Sequence, residues 1–196
     1  IDLFGGQKDI KSKIIKTVGN PDERFSEDAL RILRALRFCS VTGFEIEQET
    51  KISLIKNKAL LSKVSAERIT AELKKLLCGK NAFNVLFEYR EVFAVIIPEL
   101  ENCFFFNQNN PHHIYDVYTH SVVALKNAPN DFVIRLALLL HDIGKPFCKT
   151  EGADGYYHFK GHAQKSAELG EKILKRLKLD NKTINSVVSL IKYHSE

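Results

Sequence analysis

The sequence predicts an all-α protein made of two helical halves. Apolar residues recur at spacings of three and four along most of the 196 residues, which is typical of helices that bury one face. Hydrophobic residues make up 44% of the chain, enough for a sizeable core. Pro98 and the polar run 107–111 interrupt the helical pattern. We therefore predict a first unit over residues 1–111 and a second over 112–196.

Two helices stand out in the first half. Ser26 is a plausible N-cap for a helix that reaches Val41 and buries an apolar face including Leu30, Leu33 and Phe38. A turn at residues 20–22 precedes it. The stretch 65–77 repeats this logic, with Ser65 as the cap and Ile69, Leu73, Leu76 and Leu77 facing inward. Residues 1–9, which contain Gly5-Gly6, are expected to form a strand end or a tight loop.

Four helices are predicted in the second half, over residues 115–126, 132–142, 162–178 and 184–193. Asn130 or Asp131 is the expected cap of the helix 132–142, which is nearly all apolar and should be central and buried. Gly144 and Pro146 should end it. A loop at 151–160 then leads to the next helix.

Composition limits the function classes only loosely. The net charge of +5 is compatible with RNA, nucleotides or other phosphates, but a solvated basic surface is the commoner explanation. The four cysteines form no close pair, which favours reduced thiols in a cytoplasmic protein. The longest apolar run, 136–140, is too short for a membrane span. Because the chain starts at Ile1 and contains no methionine, we expect it to be part of a longer protein.

A metal site is the strongest functional prediction. His141 and Asp142 are adjacent at the end of the apolar helix, and His120 lies on the helix before it. A carboxylate beside such an apolar stretch is costly unless a cation or a donor compensates it. Imidazole and carboxylate are ligands that divalent transition metals prefer. His162 and His194 are further candidate ligands, although a core histidine is equally ordinary at either position.

Lys145 follows the predicted helix end and has two interpretations. It could meet a substrate phosphate, or it could interact with the helix C-terminus through the macrodipole. His112, His113 and His158 lie in loops, and we interpret them as ordinary polar residues.

The segments YTHSV, LLLHDIGK, HFKGHAQKS and LIKYH resemble the HD superfamily of metal-dependent phosphohydrolases. The resemblance implies a divalent metal (nickel, cobalt, manganese or magnesium) bound by His120, His141, Asp142, His162 and His194. It also implies catalytic roles for His141, Asp142 and Lys145. The family often has an aspartate after the late Tyr-His pair, where this chain has Ser195.

A second motif lies at the start of the helix that is predicted to run from Ser26 to Val41. Glu27, Asp28 and Arg31 form an E-D-x-x-R set, which we place on one helix so that Asp28 and Arg31 share a face. A carboxylate and a guanidinium on one face can hydrogen-bond the edge of a nucleobase. An exposed salt bridge with no ligand is the alternative.

The segments DLFGGQKDI, VGNPDERFSEDALRILRALRF and VSAERITAELKKLL are similar to the tRNA nucleotidyltransferase and poly(A) polymerase family, and most closely to bacterial members that carry an HD domain. The resemblance implies tRNA and CTP or ATP as partners, with nucleotide recognition by Asp28 and Arg31 supported by Glu27. It implies a structural role for Glu67, Arg68 and Glu72.

Family members bind magnesium at two aspartates upstream of these motifs, and this chain starts after that point. We therefore expect that it does not transfer nucleotides by itself. The resemblance suggests 2′,3′-cyclic phosphodiesterase, phosphatase or 2′-nucleotidase activity for the HD domain. Two alternatives are an HD fold retained as an RNA-binding scaffold and a stand-alone nucleotide phosphohydrolase. The sequence leaves the oligomeric state open.

Overall fold

The computed structural model describes residues 2–109, 114–153 and 155–194, and it divides into two compact units, Ile1–Ile96 and Ile97–Glu196. The described residues are mainly helical, which confirms the predicted all-α class with an HD-type bundle. The predicted functional boundary at residues 111 and 112 stays a prediction.

The first unit contains seven α-helices, one 3-10 helix and two short strands among its described residues. In chain order they are α1 (Gly6–Lys11), β1 (Ile14–Ile15), α2 (Pro21–Glu27), α3 (Leu30–Thr42), β2 (Glu45–Ile46), α4 (Gln48–Lys56), the 3-10 helix Lys58–Lys63, α5 (Ala66–Leu77), α6 (Ala82–Glu88) and α7 (Arg90–Ile96). Strands β1 and β2 are parallel, with Ile14 opposite Glu45. Helices α3 and α5 pack together, and the Ser40 hydroxyl donates to the Leu76 carbonyl at 2.6 Å.

Several local predictions for the first unit need correction. Ser26 is not a cap, because it lies inside α2, whose N-cap is Asn20. The Asn20 side chain accepts hydrogen bonds from two backbone N–H groups of the first turn. Phe38 is 40% exposed and does not belong to the core. The segment from Gly6 is helical, since the Asp2 carboxylate accepts from the N–H groups of Gly6 and Gln7 and so caps α1.

Helix α5 agrees with its prediction. Ser65 occupies the N-cap position, although its side chain makes no capping hydrogen bond. The four residues expected to face inward are buried: Ile69, Leu73, Leu76 and Leu77. This spacing of three and four is what an amphipathic helix requires.

The second unit is a helical bundle. It contains the 3-10 helix Pro98–Cys103, α8 (Val117–Ala124), the 3-10 helix Leu125–Asn127, α9 (Phe132–Leu140), the 3-10 helix Lys145–Phe147, β3 (Thr150–Glu151), β4 (Tyr157–His158), α10 (His162–Arg176) and α11 (Asn181–Lys192). Helix α9 packs against α8 and α11, and α10 packs against α11. Asp131 caps α9 by accepting from the Ile134 N–H at 3.0 Å, as predicted. Strands β3 and β4 form an antiparallel hairpin in the loop before α10.

Candidate metal centre

The carboxylate of Asp142 lies at the centre of a cluster of four imidazoles. Helix α9 ends at Leu140, so His141 and Asp142 lie at the start of the following turn, and the Asp142 side chain is only 2% exposed. Each imidazole directs its Nε2 atom at this carboxylate. The Nε2–carboxylate distances are 3.2 Å for His141, 3.3 Å for His162, 3.5 Å for His194 and 3.7 Å for His120.

Backbone carbonyls fix the orientation of three of these rings. The Nδ1 atoms of His141, His162 and His194 lie 2.7, 2.8 and 2.6 Å from the carbonyl oxygens of residues 138, 159 and 191, respectively. A carbonyl can only accept, so Nδ1 must carry the proton, and in the neutral ring the lone pair then lies on Nε2. This arrangement of the second ring nitrogen is typical of metal-bound histidines.

One oxygen of this carboxylate and the imidazoles beside it leave lone pairs unsatisfied, and a cation would correct this. Asp142 Oδ1 is buried and makes no hydrogen bond to any of the described residues, and the Nε2 atoms of His162 and His194 lie only 3.2 Å apart. Two lone pairs facing each other beside a carboxylate repel unless a proton or a metal ion lies between them. Within the described ranges, two groups have ligand atoms within 4.8 Å of one another: His120, His141 and Asp142, and Asp142, His162 and His194. The donor set therefore fits a divalent metal.

Lys145 is buried beside the same carboxylate. Its Nζ atom donates to Asp142 Oδ2 at 2.8 Å and to Gln108 Oε1 at 2.8 Å. Gln108 is itself buried and donates to the Tyr115 carbonyl at 3.0 Å. Sequence reasoning missed Gln108, because a glutamine in a polar run gives no signal of burial. Lys145 thus holds one oxygen of Asp142, while the other oxygen faces the His162–His194 side.

Gly144 lets the start of α10 approach this turn closely. Its N–H donates to the Ser166 hydroxyl at 2.8 Å. A Cβ atom at this position would lie 2.6 Å from the Ser166 backbone nitrogen and 2.8 Å from the His162 carbonyl oxygen. No real Cβ contact is that short, so the close approach that places His162 near Asp142 requires glycine here.

Charge interactions shift the pKa values in the cluster. Burial alone raises the pKa of Asp142, but the surrounding imidazoles outweigh burial and hold this pKa well below its usual range. The hydrogen bond to Asp142 raises the pKa of His194. Asp142 is therefore ionised, and the Lys145 ammonium lies beside it as a compensating charge.

The structure brings together all six residues that the sequence singled out in this half: His120, His141, Asp142, Lys145, His162 and His194. Their functional roles stay predictions. His158 is exposed on β4 and contributes no atom to either ligand group of the described residues. His112, His113 and Ser195 lie outside the described residues.

The E-D-x-x-R segment has a different geometry from the one predicted. Asp28 is extended (φ −149°, ψ 100°) and separates α2 from α3, so Glu27, Asp28 and Arg31 are not on one helix. Glu27 accepts from Arg31 at 2.6 Å, and Asp28 accepts from Arg68 through both carboxylate oxygens, at 3.0 and 2.8 Å. Asp28 also accepts from the Leu30 N–H at 3.2 Å, which explains why the chain breaks here.

A cavity of about 540 Å³ adjoins this break in the first unit. It is lined by Asp28 and Arg31 together with other basic, polar and aromatic side chains, including Lys16, Thr17, Arg24, Arg34 and Phe38. The volume is within the usual range for small-molecule sites. Among the described residues, the Arg31 side chain donates through Nη1 to the Arg24 carbonyl at 3.0 Å and to Glu27 at 2.6 Å.

Comparisons with known protein families give one match in each half of the chain. Residues 112–196 match the HD domain, and residues 43–104 match a family described as a probable RNA and SrmB-binding site of polymerase A. The second unit therefore contains an HD domain. The predicted resemblance to the tRNA nucleotidyltransferase and poly(A) polymerase family is confirmed by these matches and by the relatives described next.

The chain is similar to CCA-adding enzymes in sequence and in fold. It is 56% identical over 80 residues to the CCA-adding enzyme of Bacillus subtilis and 53% identical over 89 residues to that of Ligilactobacillus salivarius. These alignments cover 41% and 45% of this chain but only 20% and 22% of the relatives. The crystal structure of the Bacillus stearothermophilus CCA-adding enzyme with CTP matches 97% of this chain and 40% of its own, at 26% identity and a TM-score of 0.58.

Two further findings concern the chain as a whole. No helix in the described part of the chain is both long and apolar enough to cross a membrane. The structure contains no disulfide among the described residues, which include all four cysteines, and Cys39 and Cys103 are buried.

Proposed function

We propose that the second unit is a metal-dependent phosphohydrolase that acts on nucleotide phosphoesters. The Oδ1 atom of Asp142 carries this proposal, because it is buried without a hydrogen-bond partner among the described residues while four Nε2 atoms converge on the same carboxylate. His120, His141, Asp142, His162 and His194 would hold the ion. When bound, a divalent ion supplies Lewis-acid chemistry that lowers the pKa of water and neutralises phosphate charge.

The protein side chains have separate tasks around the ion. Carbonyl contacts at Nδ1 of His141, His162 and His194 keep the three rings in the tautomer that binds metal. Lys145 fixes the orientation of Asp142 and adds a positive charge to a buried site. That charge would also favour the approach of an anionic phosphoester.

Nickel, cobalt or manganese fit this donor set better than magnesium. Four imidazole nitrogens and one carboxylate are ligands for transition metals, whereas magnesium prefers oxygen ligands at nearly ideal octahedral geometry.

We further propose that the chain is part of a tRNA nucleotidyltransferase that works in tRNA 3′-end processing in the cytoplasm. The CCA-adding relatives support this assignment. The first unit would then contact tRNA and recognise CTP or ATP in the cavity beside Asp28 and Arg31. Arg68 holds the Asp28 carboxylate in place, and Glu27 holds Arg31, so both groups that would read a base edge are positioned before a nucleotide arrives.

Hydrolysis of 2′,3′-cyclic AMP with added nickel, cobalt or manganese tests the proposal. We expect turnover by the unmodified protein and its loss in Asp142→Asn, which removes the charge but keeps the shape. His158→Gln is the matched control, since His158 is an exposed histidine outside the cluster, and it should keep full activity. Bound metal without turnover of any phosphoester would favour the alternative of an RNA-binding scaffold.

A further inference from the structure

One side of the metal cluster continues into a wall of aromatic rings and one exposed lysine. We define the hairpin wall as Phe106, Lys149, Tyr157 and Phe159. The Lys149 ammonium lies 3.5 Å from the centre of the Tyr157 ring and 5.9 Å from that of Phe106. The Phe106 and Phe159 ring centres are 6.2 Å apart. These contacts make the four residues one continuous surface.

Phe159 joins this wall to the metal cluster. Its carbonyl oxygen is the group that fixes His162 Nδ1, at 2.8 Å. The Lys145 ammonium, which contacts Asp142, lies 5.6 Å from the centre of the Phe159 ring. A phosphoester bound at Asp142 would therefore extend its remaining groups towards Phe159 and the rest of the wall.

Backbone hydrogen bonds hold the wall in shape. The Tyr157 N–H donates to the Asn109 carbonyl at 3.3 Å, and the Asn109 side chain donates to the Gly155 carbonyl at 3.0 Å. The segment containing Phe106 is thus attached to the hairpin β3–β4. In that hairpin Thr150 pairs with His158 and Glu151 pairs with Tyr157. Because side chains alternate along a strand, Tyr157 and Phe159 share one face.

The chemistry of this face favours a nucleobase. Aromatic rings stack on bases of any sequence, and an ammonium attracts the π-face of a ring. Glu151, the cross-strand partner of Tyr157, adds a negative group to the same face. A face with one positive and one negative group suits a neutral base with hydrogen-bonding edges better than a second phosphate.

We propose that the hairpin wall is a base-binding subsite, and that the HD site selects phosphoesters that carry a nucleobase. This inference rests on the proposed phosphohydrolase function for its catalytic consequence. Phe106 and Tyr157 supply aromatic rings for contact with the base, and Lys149 supplies a cation next to both rings.

The test compares two substrates that differ only in the base: 2′,3′-cyclic AMP and methyl riboside 2,3-cyclic phosphate. We expect the unmodified protein to prefer the nucleotide by about tenfold in kcat/KM, the contribution of one stacked base. The double variant Lys149→Met/Tyr157→Leu should lose this preference through a higher KM, with the base-free rate unchanged. The single variant Lys149→Met should lose part of this preference. Because Lys149 is exposed, its substitution should not disturb folding, so this variant separates loss of the subsite from misfolding. Lys172→Met, an exposed lysine on α10, is the matched control.

A binding measurement separates this inference from the phosphohydrolase proposal. Calorimetric titration with adenosine 2′-monophosphate and with the base-free sugar phosphate should show the same preference and the same loss in the double variant. If neither cyclic substrate is hydrolysed, the phosphohydrolase proposal fails, but a base-dependent affinity that needs Lys149 and Tyr157 still supports the subsite. Equal affinity for both ligands, or a preference that the double variant retains, overturns it.

Discussion

Replacing Lys145 by methionine should destabilise the metal-free protein strongly. Lys145 and Asp142 have side chains that are 6% and 2% exposed, and their charged atoms are 2.8 Å apart. At that distance and an effective dielectric constant of about 20, the attraction between two unit charges is about 6 kcal/mol. Removing one partner of a buried pair costs less than this attraction, about 3–5 kcal/mol, because the lysine no longer has to be desolvated.

A bound metal should reduce this loss, since the ion compensates the Asp142 charge that Lys145 leaves unpaired. We expect the loss to fall below about 1 kcal/mol at saturating nickel or manganese. Urea denaturation with a chelator and again with metal measures both values. Lys175→Met is the matched control, because Lys175 forms an exposed pair with Glu171 at 2.6 Å, and its loss should be at most about 0.5 kcal/mol in either condition.

Two results would refute this reasoning. A loss below about 1 kcal/mol in the chelator would mean that Asp142 does not need a cation. An equal loss with and without metal would mean that the ion does not bind next to this carboxylate.

Three further predictions follow from particular contacts. Gly144→Ala should lower the free energy of unfolding by about 1–3 kcal/mol, because its Cβ would meet the Ser166 backbone at 2.6 Å, and unchanged urea stability would contradict this. The buried carboxylate raises the pKa of His194, so protonated His194 stabilises the metal-free fold fully below its unfolded pKa of 6.5, and this contribution is lost as pH rises through the raised pKa. Metal binding needs the deprotonated ring, so metal affinity measured by calorimetry should rise with pH over that interval. Asp28→Ala should weaken CTP binding at least tenfold by calorimetry while Glu23→Ala does not, and equal affinities would argue against base recognition by Asp28.

Long-range periodic features were predictable from the sequence. The apolar spacing in α5 and the nearly continuous apolar run in α9 gave the helical class and its buried faces. The adjacent His141 and Asp142 indicated the metal cluster, because a carboxylate after such a run needs compensation. The residues alone left the roles of His162 and His194 open, because both are distant from Asp142 in sequence. The resemblance to the HD superfamily implied that they join Asp142, and the structure places both beside the same carboxylate.

Short-range competition between side chain and backbone explains the failures. At the E-D-x-x-R segment a continuous helix was predicted, but the Asp28 carboxylate accepts from the Leu30 N–H and breaks the helix. At the N-terminus the Asp2 carboxylate caps a short helix where Gly5-Gly6 suggested only a turn. Gln108 gave no signal, because its burial depends on Lys145, which lies far along the chain.

The metal content of the purified protein tests the central claim most directly. Elemental analysis after exposure to nickel or manganese and removal of loosely bound ions should give at least about one ion per chain, and Asp142→Asn should lose most of it. A protein without bound metal, or an Asp142→Asn variant with the same metal content, would contradict the assignment of this histidine cluster as a metal centre.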